Sequence, residues 1–363
     1  MVDRRRVMSF RVRAQQLDRV AGALPATTVL DLGVQDTGPD GGRWALALRG
    51  VDVAALSGDE LTLLWSVRGA PHLYRRADLP QVAAAVAPFS DADASKRIYD
   101  AAKQLKAAGI GTLAALDEVA AGMRAVVTRP TVKGEVSRRL AEALPEPYLR
   151  FCRPCDATHL YEMPFRLAAI RAGLELRPDT SPPILQRISG FTRADTPGDR
   201  FDVVRAYLRL LGPATPQHVA GYLDAPVKEV KARWPGDAVE VVVDGETRWL
   251  LAADQAALGS TDVEGVRLLG PFDLFLQARD RATLVPDAAR AKELWPVLGR
   301  PGAVLVDGEI MGTWRPRKSG RGLRVTVDPW QPIAERHRKA VADQAERLAA
   351  HRSTTLSGVE FTG

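Results

Sequence analysis

The residue types in this sequence that could do chemistry gather first in one stretch, Leu32-Gly33-Val34-Gln35-Asp36-Thr37-Gly38-Pro39. An apolar run (Val29, Leu30, Leu32, Val34) ends abruptly in an amide, a carboxylate and a hydroxyl. Gly38, Pro39, Gly41 and Gly42 follow and turn the backbone. A polar trio delivered at the end of a buried element has the makings of a small active site. The simpler alternative is a polar turn closed by an Asx-type self hydrogen bond.

Two further groups invite the same question. His72 follows a break at Gly69 and Pro71. By itself it reads as a buried histidine with a backbone partner before it reads as a catalytic base. Cys152-Arg153-Pro154-Cys155, with His159 four residues on, is half a zinc knuckle. The sequence holds no second cysteine pair, and a redox dithiol would lack a thioredoxin-like βαβ context. The expectation is two buried thiols at a strand end, with no metal and no cofactor.

A chain of 363 residues is too long for one ordinary core, so two or three domains are expected. Hydrophobic residues make up 46%, enough to bury such cores. No apolar run approaches the ~20 residues of a membrane span. The basic N-terminus, Arg4-Arg5-Arg6, lacks the apolar stretch of a signal peptide. A cytoplasmic, nucleoid-associated protein is expected, with no membrane partner. The net charge of +6 is modest, but its sign favours a polyanion, and nucleic acid is the commonest.

The elements that must position these groups follow from periodicity and punctuation. Val12, Leu17, Val20 and Leu24 recur near helical spacing, and Arg43 to Gly50 reads as a helix closed by glycine. The first half of Leu61 to Arg76 looks buried, Gly69 and Pro71 break it, and a short strand runs from His72 to Tyr74. Ala94 to Ala108, Leu113 to Met123 and Val132 to Leu144 read as helices, the last two capped by Thr112 and Thr131. Extended segments follow at 148–152 and 158–161. Helix, helix, helix, ribbon is the order of a winged helix. The order repeats after residue 200. There Phe201 to Leu211 is amphipathic, Thr215 and Pro216 open a short helix, and Pro226 opens a basic one. Val239 to Leu251 then forms two strands around Asp244-Gly245, a strong hairpin signal.

Beyond residue 258 a second Asp-Gly hairpin, at Asp307-Gly308, implies a small β domain. Its ribbon continues through Arg315, Arg317, Lys318, Arg321 and Arg324 with no acid between them. Cations so crowded repel unless an anion lies among them, and a phosphate backbone is the natural one. A charged edge that merely resists aggregation is the alternative. Residues 333–352 read as a polar helix, and the tail from Ser353 as disordered. The fold class expected is α+β, with tandem winged-helix domains followed by a small C-terminal β-rich, barrel-like domain. The units are 1–88, 89–198, 199–257, 258–332 and 333–363.

Several stretches together resemble the AlkZ/YcaQ-like DNA glycosylases, a winged-helix family. Leu32-Gly33-Val34-Gln35 is similar to the lead-in to that family's catalytic motif. Arg68-Gly69-Ala70-Pro71-His72-Leu73 resembles its arginine-glycine-x-x-histidine-leucine stretch. Gly212-Pro213-Ala214-Thr215 resembles the start of a later winged helix. Phe272-Asp273 through Arg279-Asp280-Arg281, with Val306-Asp307-Gly308 and Gly312-Thr313-Trp314-Arg315, resembles its C-terminal β domain. The matches occur in family order over nearly the full length.

The resemblance implies hydrolysis of the N-glycosidic bond of alkylated or crosslinked purines in double-stranded DNA; a monomer without cofactor is expected. The family motif is glutamine, an apolar residue, then glutamine or aspartate. Gln35 fits the first position, whereas Asp36 occupies the apolar slot and Thr37 the third. Either one residue is deleted and Asp36 serves as the carboxylate, or the chain is a divergent branch. Gln35 would hold a water through an amide that donates and accepts. Asp36 would orient that water or offset charge at the sugar, and Thr37 is a weaker substitute. The expected DNA contacts are the basic hairpin, the basic helices (Lys133, Arg138, Arg139, Lys228, Lys231, Arg233) and His72. A non-catalytic winged-helix regulator or architectural factor is the rival, favoured by the altered motif.

Overall fold

The structure is a computed structural model and describes residues 2–39, 41–259, 263–320 and 322–362. The chain divides into two compact units, both of mixed helix and strand. The first comprises Met1–Leu56, Arg205–His218 and Pro235–Gly363; the second comprises Ser57–Val204 and Val219–Trp234.

In the first unit the N-terminal helix is Arg4–Ala14, capped by the Asp3 carboxylate, which accepts the Arg6 N–H at 2.9 Å. The apolar spacing read through Val20 and Leu24 does not continue this helix. Gln16 takes a positive φ of 60° and Val20 is 86% exposed. The Gln16 amide instead donates to Ala26 O and accepts from Thr28 N, ordering the 3-10 turns Leu24–Ala26 and Thr28–Asp31. Val7 and Phe10 pack on Val243, Leu250 and Leu258, so this helix lies on the hairpin Ala238–Val243 and Glu246–Leu251. Asp244 and Gly245 both take positive φ (47° and 86°), the geometry of a two-residue type I′ turn.

Buried arginines tie the three chain segments of this unit together. Asp280 receives two hydrogen bonds from Arg11, at 3.1 and 2.7 Å, and one from Arg248 at 2.7 Å. Arg11 also donates to Gly212 O at 3.0 Å. Arg49, at the end of the helix Gly42–Leu48, holds Asp273 through two 2.9 Å bonds.

The C-terminal sheet runs Val266–Leu269, Gly302–Val306, Glu309–Ser319, Gly322–Pro329, Leu356–Phe361 in spatial order. The first four strands are antiparallel, with Asp307 and Gly308 again at positive φ in the tight turn. Two expectations fail here. The sheet is open rather than barrel-like, because the helix Glu335–His351 packs on its strands and buries Val341, Ala345 and Leu348. The tail is not disordered. Leu356–Phe361 pairs in parallel with Gly322–Pro329, supplying hydrogen bonds that an isolated reading of Ser353 onward could not anticipate.

In the second unit the strands run Pro71–Arg75, Leu61–Trp65, Leu174–Leu176, Ile184–Arg187, Thr131–Val132. The helices Thr112–Val126 and Glu162–Arg171 pack together. Asp91, not Thr112, caps the former, since its Oδ1 accepts the Leu113 N–H at 2.9 Å. A separate hairpin, Leu149–Cys152 with Ala157–Leu160, stands off this sheet. Arg68, with a φ of 56°, lies over the Tyr222 ring at 4.8 Å and ties the unit's two segments together. Lys96 does the same at Ala225 O, 2.8 Å.

Removing Asp280 leaves two guanidiniums buried without their counter-charge. Asp280→Ala is expected to cost about 3–5 kcal/mol in urea unfolding of the full chain, the usual range for a broken buried pair.

Candidate active site and nucleic-acid interface

Gln35 ends the short strand Val34–Gln35, which is bracketed by Gly33 and Gly38 at positive φ. Val34 is buried, whereas Gln35, Asp36 and Thr37 are half-buried. In extended backbone, residues two apart share a side and the one between faces away. Accordingly Gln35 Nε2 donates to Thr37 Oγ1 at 3.1 Å. Asp36 turns to the following helix, where its Oδ1 accepts the Gly42 N–H at 2.7 Å. A Cβ on Gly41 would stand 2.7 Å from that oxygen, so glycine at 41 lets the carboxylate reach the helix N-terminus. Of the trio, then, Gln35 and Thr37 come together, and Asp36 is engaged as a cap. The other end of the Gln35 amide has no partner among the described residues. One donor–acceptor amide beside one hydroxyl can hold and orient a water.

His72 is a correction to the sequence reading. It is 2% exposed and cannot reach a phosphate. Its Nδ1 lies 3.0 Å from Ser66 Oγ and 2.9 Å from Ala70 O, and Ser66 Oγ lies 2.9 Å from Tyr74 OH. Burial first, then the nearby Arg68 charge, pushes His72 down from 6.5 to about 3, so the ring is neutral. Its place is structural. It fixes the turn Val67–Gly69 between the strands Leu61–Trp65 and Pro71–Arg75.

The basic hairpin is laid out as its sequence suggests. Arg315, Arg317 and Lys318 are exposed, with no carboxylate in ion-pair range among the described residues. Arg324, opposite Arg317, lies 3.9 Å from Glu360, and Arg321 lies outside the described residues. Arg315 and Arg317 share a side and line a cavity of about 300 Å³ with Pro271, Arg300 and Trp314. Arg279 and Arg281 add to this charge. Asp280, the acid between them, is spent inward on Arg11 and Arg248 and leaves both without a carboxylate partner among the described residues. The Arg279 Nε is buried without a hydrogen-bond partner. Burial, and then the Arg279 guanidinium, pushes both Arg281 and Arg300 below the ordinary arginine value. Arg279, Arg281 and Arg300 were not among the expected contacts. The alternation Arg279-Asp280-Arg281 hid their charge, because in sequence the aspartate looks like a neutraliser.

The basic helices differ. Lys133 pairs with Glu162 at 2.7 Å, Arg138 with Glu135 and Glu142, and Arg139 with Glu135. Arg233 pairs with Glu229 and lies over the Phe89 ring. Only Lys228 and Lys231 of that set are exposed without a carboxylate in range among the described residues. Pairing at helical spacing reads as a solvated face rather than a phosphate grip. The thiols also depart from expectation, for Cys152 is half-buried and Cys155 exposed.

The sequence model of the family described as "DNA glycosylase AlkZ-like" matches residues 29–351. The chain belongs to the AlkZ-like DNA glycosylase family. The resemblance drawn from Gln35, the Arg68–Leu73 stretch and the C-terminal motifs is thus borne out, and with it a DNA glycosylase role in repair. No functionally curated protein matches the chain. A solved structure, the DNA glycosylase AlkZ of Streptomyces sahachiroi, shares its fold with a TM-score of 0.73. That likeness covers 99% of each chain at 21% identity. DNA is accordingly the substrate of an AlkZ-like enzyme, and no helix among the described residues is long and apolar enough to cross a membrane.

Two outcomes follow. Because the folded value of His72 is depressed, its stabilising contribution is present above about pH 6.5 and is lost as pH falls toward 3. Urea midpoints at about pH 7.5 and about pH 5 should show a wild-type loss of up to about 1.4 kcal/mol per pH unit that His72→Gln removes. In DNA binding, replacing Arg300, Arg315 and Arg317 by alanine should flatten the salt slope by roughly 0.9 per lost phosphate contact. Replacing Arg138 and Arg139 should leave the slope unchanged.

Proposed function

We propose that this AlkZ-like enzyme releases N7-alkylated purines, crosslinked ones included, from duplex DNA as a monomer, with Gln35 and Thr37 holding the attacking water. The observation that carries this reading is the 3.1 Å bond joining the Gln35 amide to the Thr37 hydroxyl, with Asp36 turned away. Thr37 then stands where the family motif carries glutamine or aspartate, and no residue of the trio offers a carboxylate to the sugar.

Such a site suits one class of leaving group. A purine alkylated at N7 is already cationic. The C1′–N9 bond breaks with its electron pair departing on the base, which leaves neutral. The water oxygen bonds C1′, and its proton passes to solvent. Gln35 and Thr37 supply orientation, and the substrate supplies the electrophilic push. A neutral base such as uracil would need an acid or a strong anion, which Gln35 and Thr37 do not supply. In this reading the exposed arginines of the hairpin, with Arg279, Arg281 and Arg300, grip the phosphates. The segments 1–88, 89–198 and 199–257 act as winged-helix-like units, with Lys228 and Lys231 as secondary backbone contacts.

Single-turnover release of N7-methylguanine from duplex DNA at low salt tests it. Gln35→Ala should lower the rate about 10²–10³-fold, the usual loss for a transition-state-positioning donor. Thr37→Val should lower it by about 10-fold or more, and Asp36→Asn should act mainly on stability, by about 1 kcal/mol. Release unchanged in Gln35→Ala would place the chemistry elsewhere. Duplex binding without release from N7-methylguanine or an interstrand crosslink would favour the non-catalytic reading.

A further inference from the structure

We infer that Cys152, Cys155 and His159 form a zinc(II) site at the tip of the hairpin Leu149–Cys152 and Ala157–Leu160. This inference is independent of the glycosylase reading. The two sulfurs and one imidazole nitrogen all lie within 4.8 Å of one another. Zinc binds sulfur at about 2.3 Å and imidazole at about 2.0–2.1 Å, so tetrahedral ligand pairs stand roughly 3.4–3.8 Å apart. Closing the present spacing therefore takes side-chain rotation and no change in strand register.

The backbone is arranged for this. Cys152 ends one strand, and Arg153–Cys155 forms a single 3-10 turn. Asp156 follows in the left-handed region, with φ 47° and ψ 42°, and reverses the chain. His159 then returns on the second strand opposite Arg150, bringing its ring back to the turn. Two thiolates and a neutral imidazole balance the metal's double charge. A borderline-soft set of two sulfurs and one nitrogen suits zinc over magnesium or calcium, which seek oxygen.

The second strand of the hairpin packs on the helix Lys133–Ala143, and the tip is its exposed part. A two-stranded ribbon is marginal unless something anchors it. Here Phe151 is 61% exposed, Cys155 is exposed, and only Leu160 is buried in the two strands. A metal would link the turn to the returning strand across the open end of the ribbon. Three ligand residues are found among the described residues, so the fourth position is open to water.

The full-length reduced protein, stripped by chelator, is titrated with cobalt(II) and then with zinc(II). One cobalt per chain should bind, with a near-ultraviolet thiolate-to-cobalt charge-transfer band and tetrahedral visible bands. One equivalent of zinc should abolish both. Binding should release protons, because each thiol must give up its own. His159→Asn should weaken binding by about tenfold or more, by loss of one ligand. Cys152→Ser with Cys155→Ser should remove the charge-transfer band while far-ultraviolet dichroism is retained. As a measure that needs no variant, zinc should protect both thiols of the wild type from alkylation. Two titratable thiols with no charge-transfer band and no protection would overturn the inference. So would a charge-transfer band that survives the double substitution, or a reduced protein that binds no cobalt yet closes a Cys152–Cys155 disulfide on oxidation.

Discussion

The first unit depends on one buried carboxylate. Asp280 lies between Arg11 and Arg248, and all three side chains are almost wholly removed from solvent. Burial alone would push its carboxyl up, but the Arg11 charge and hydrogen bonds, with Arg248, outweigh it and hold the group ionised. Arg11 also takes the Gly212 carbonyl, so the N-terminal helix, the segment 205–218, the hairpin and the 280 turn meet in one charged knot. Arg49 with Asp273 forms a second knot of the same kind. Apolar packing tolerates slippage of a turn or a strand. Bidentate arginine–carboxylate geometry does not, because a small displacement strands a buried charge. In this way a unit assembled from three distant stretches of chain acquires a single arrangement.

The same knot shapes the surface. By drawing Asp280 inward it leaves Arg279 and Arg281 facing a region that already holds Arg300, Arg315 and Arg317. A cluster of cations with no carboxylate in ion-pair range among the described residues is held against its own repulsion by the fold, a repulsion that a bound anion would relieve. The helix Lys133–Ala143 is the contrast. It carries three cations in a short span, but Glu135 and Glu142 answer Arg138 and Arg139 at helical spacing and Glu162 answers Lys133. What separates an anion grip from a solvated face is the position of the acids, not the number of bases.

At the Gln35 strand, backbone geometry decides roles that composition leaves open. A carboxylate next to the glutamine looks the better catalyst, yet extended backbone sends it to the opposite side, where a helix N-terminus receives it. The hydroxyl two residues on shares the glutamine's side. In the reaction proposed above, an enzyme with so little charge at its water would depend on the substrate's own positive charge. On that proposal, selectivity for cationic bases would be a property of the site rather than of a tight pocket.

Local chemistry was legible in the sequence alone. The Asp244-Gly245 and Asp307-Gly308 turns, the helix closed at Gly50, the Thr215-Pro216 helix start, the basic ribbon and the family motifs all rest on near neighbours. Steric preference or short-range hydrogen bonding settles such features without reference to the rest of the chain. The outcomes that turned on distant partners were not legible. The tail beyond Ser353 became a strand because the edge of Gly322–Pro329 was open to it. The sheet stayed open because a helix covered it. His72 was buried against Ser66 and Ala70, and Asp280 was turned from its neighbours to Arg11. Each of these depends on which group is brought near by residues tens to hundreds of positions away or across a strand pair, and burial and long-range pairing energies are properties of that assembly, not of any window of sequence.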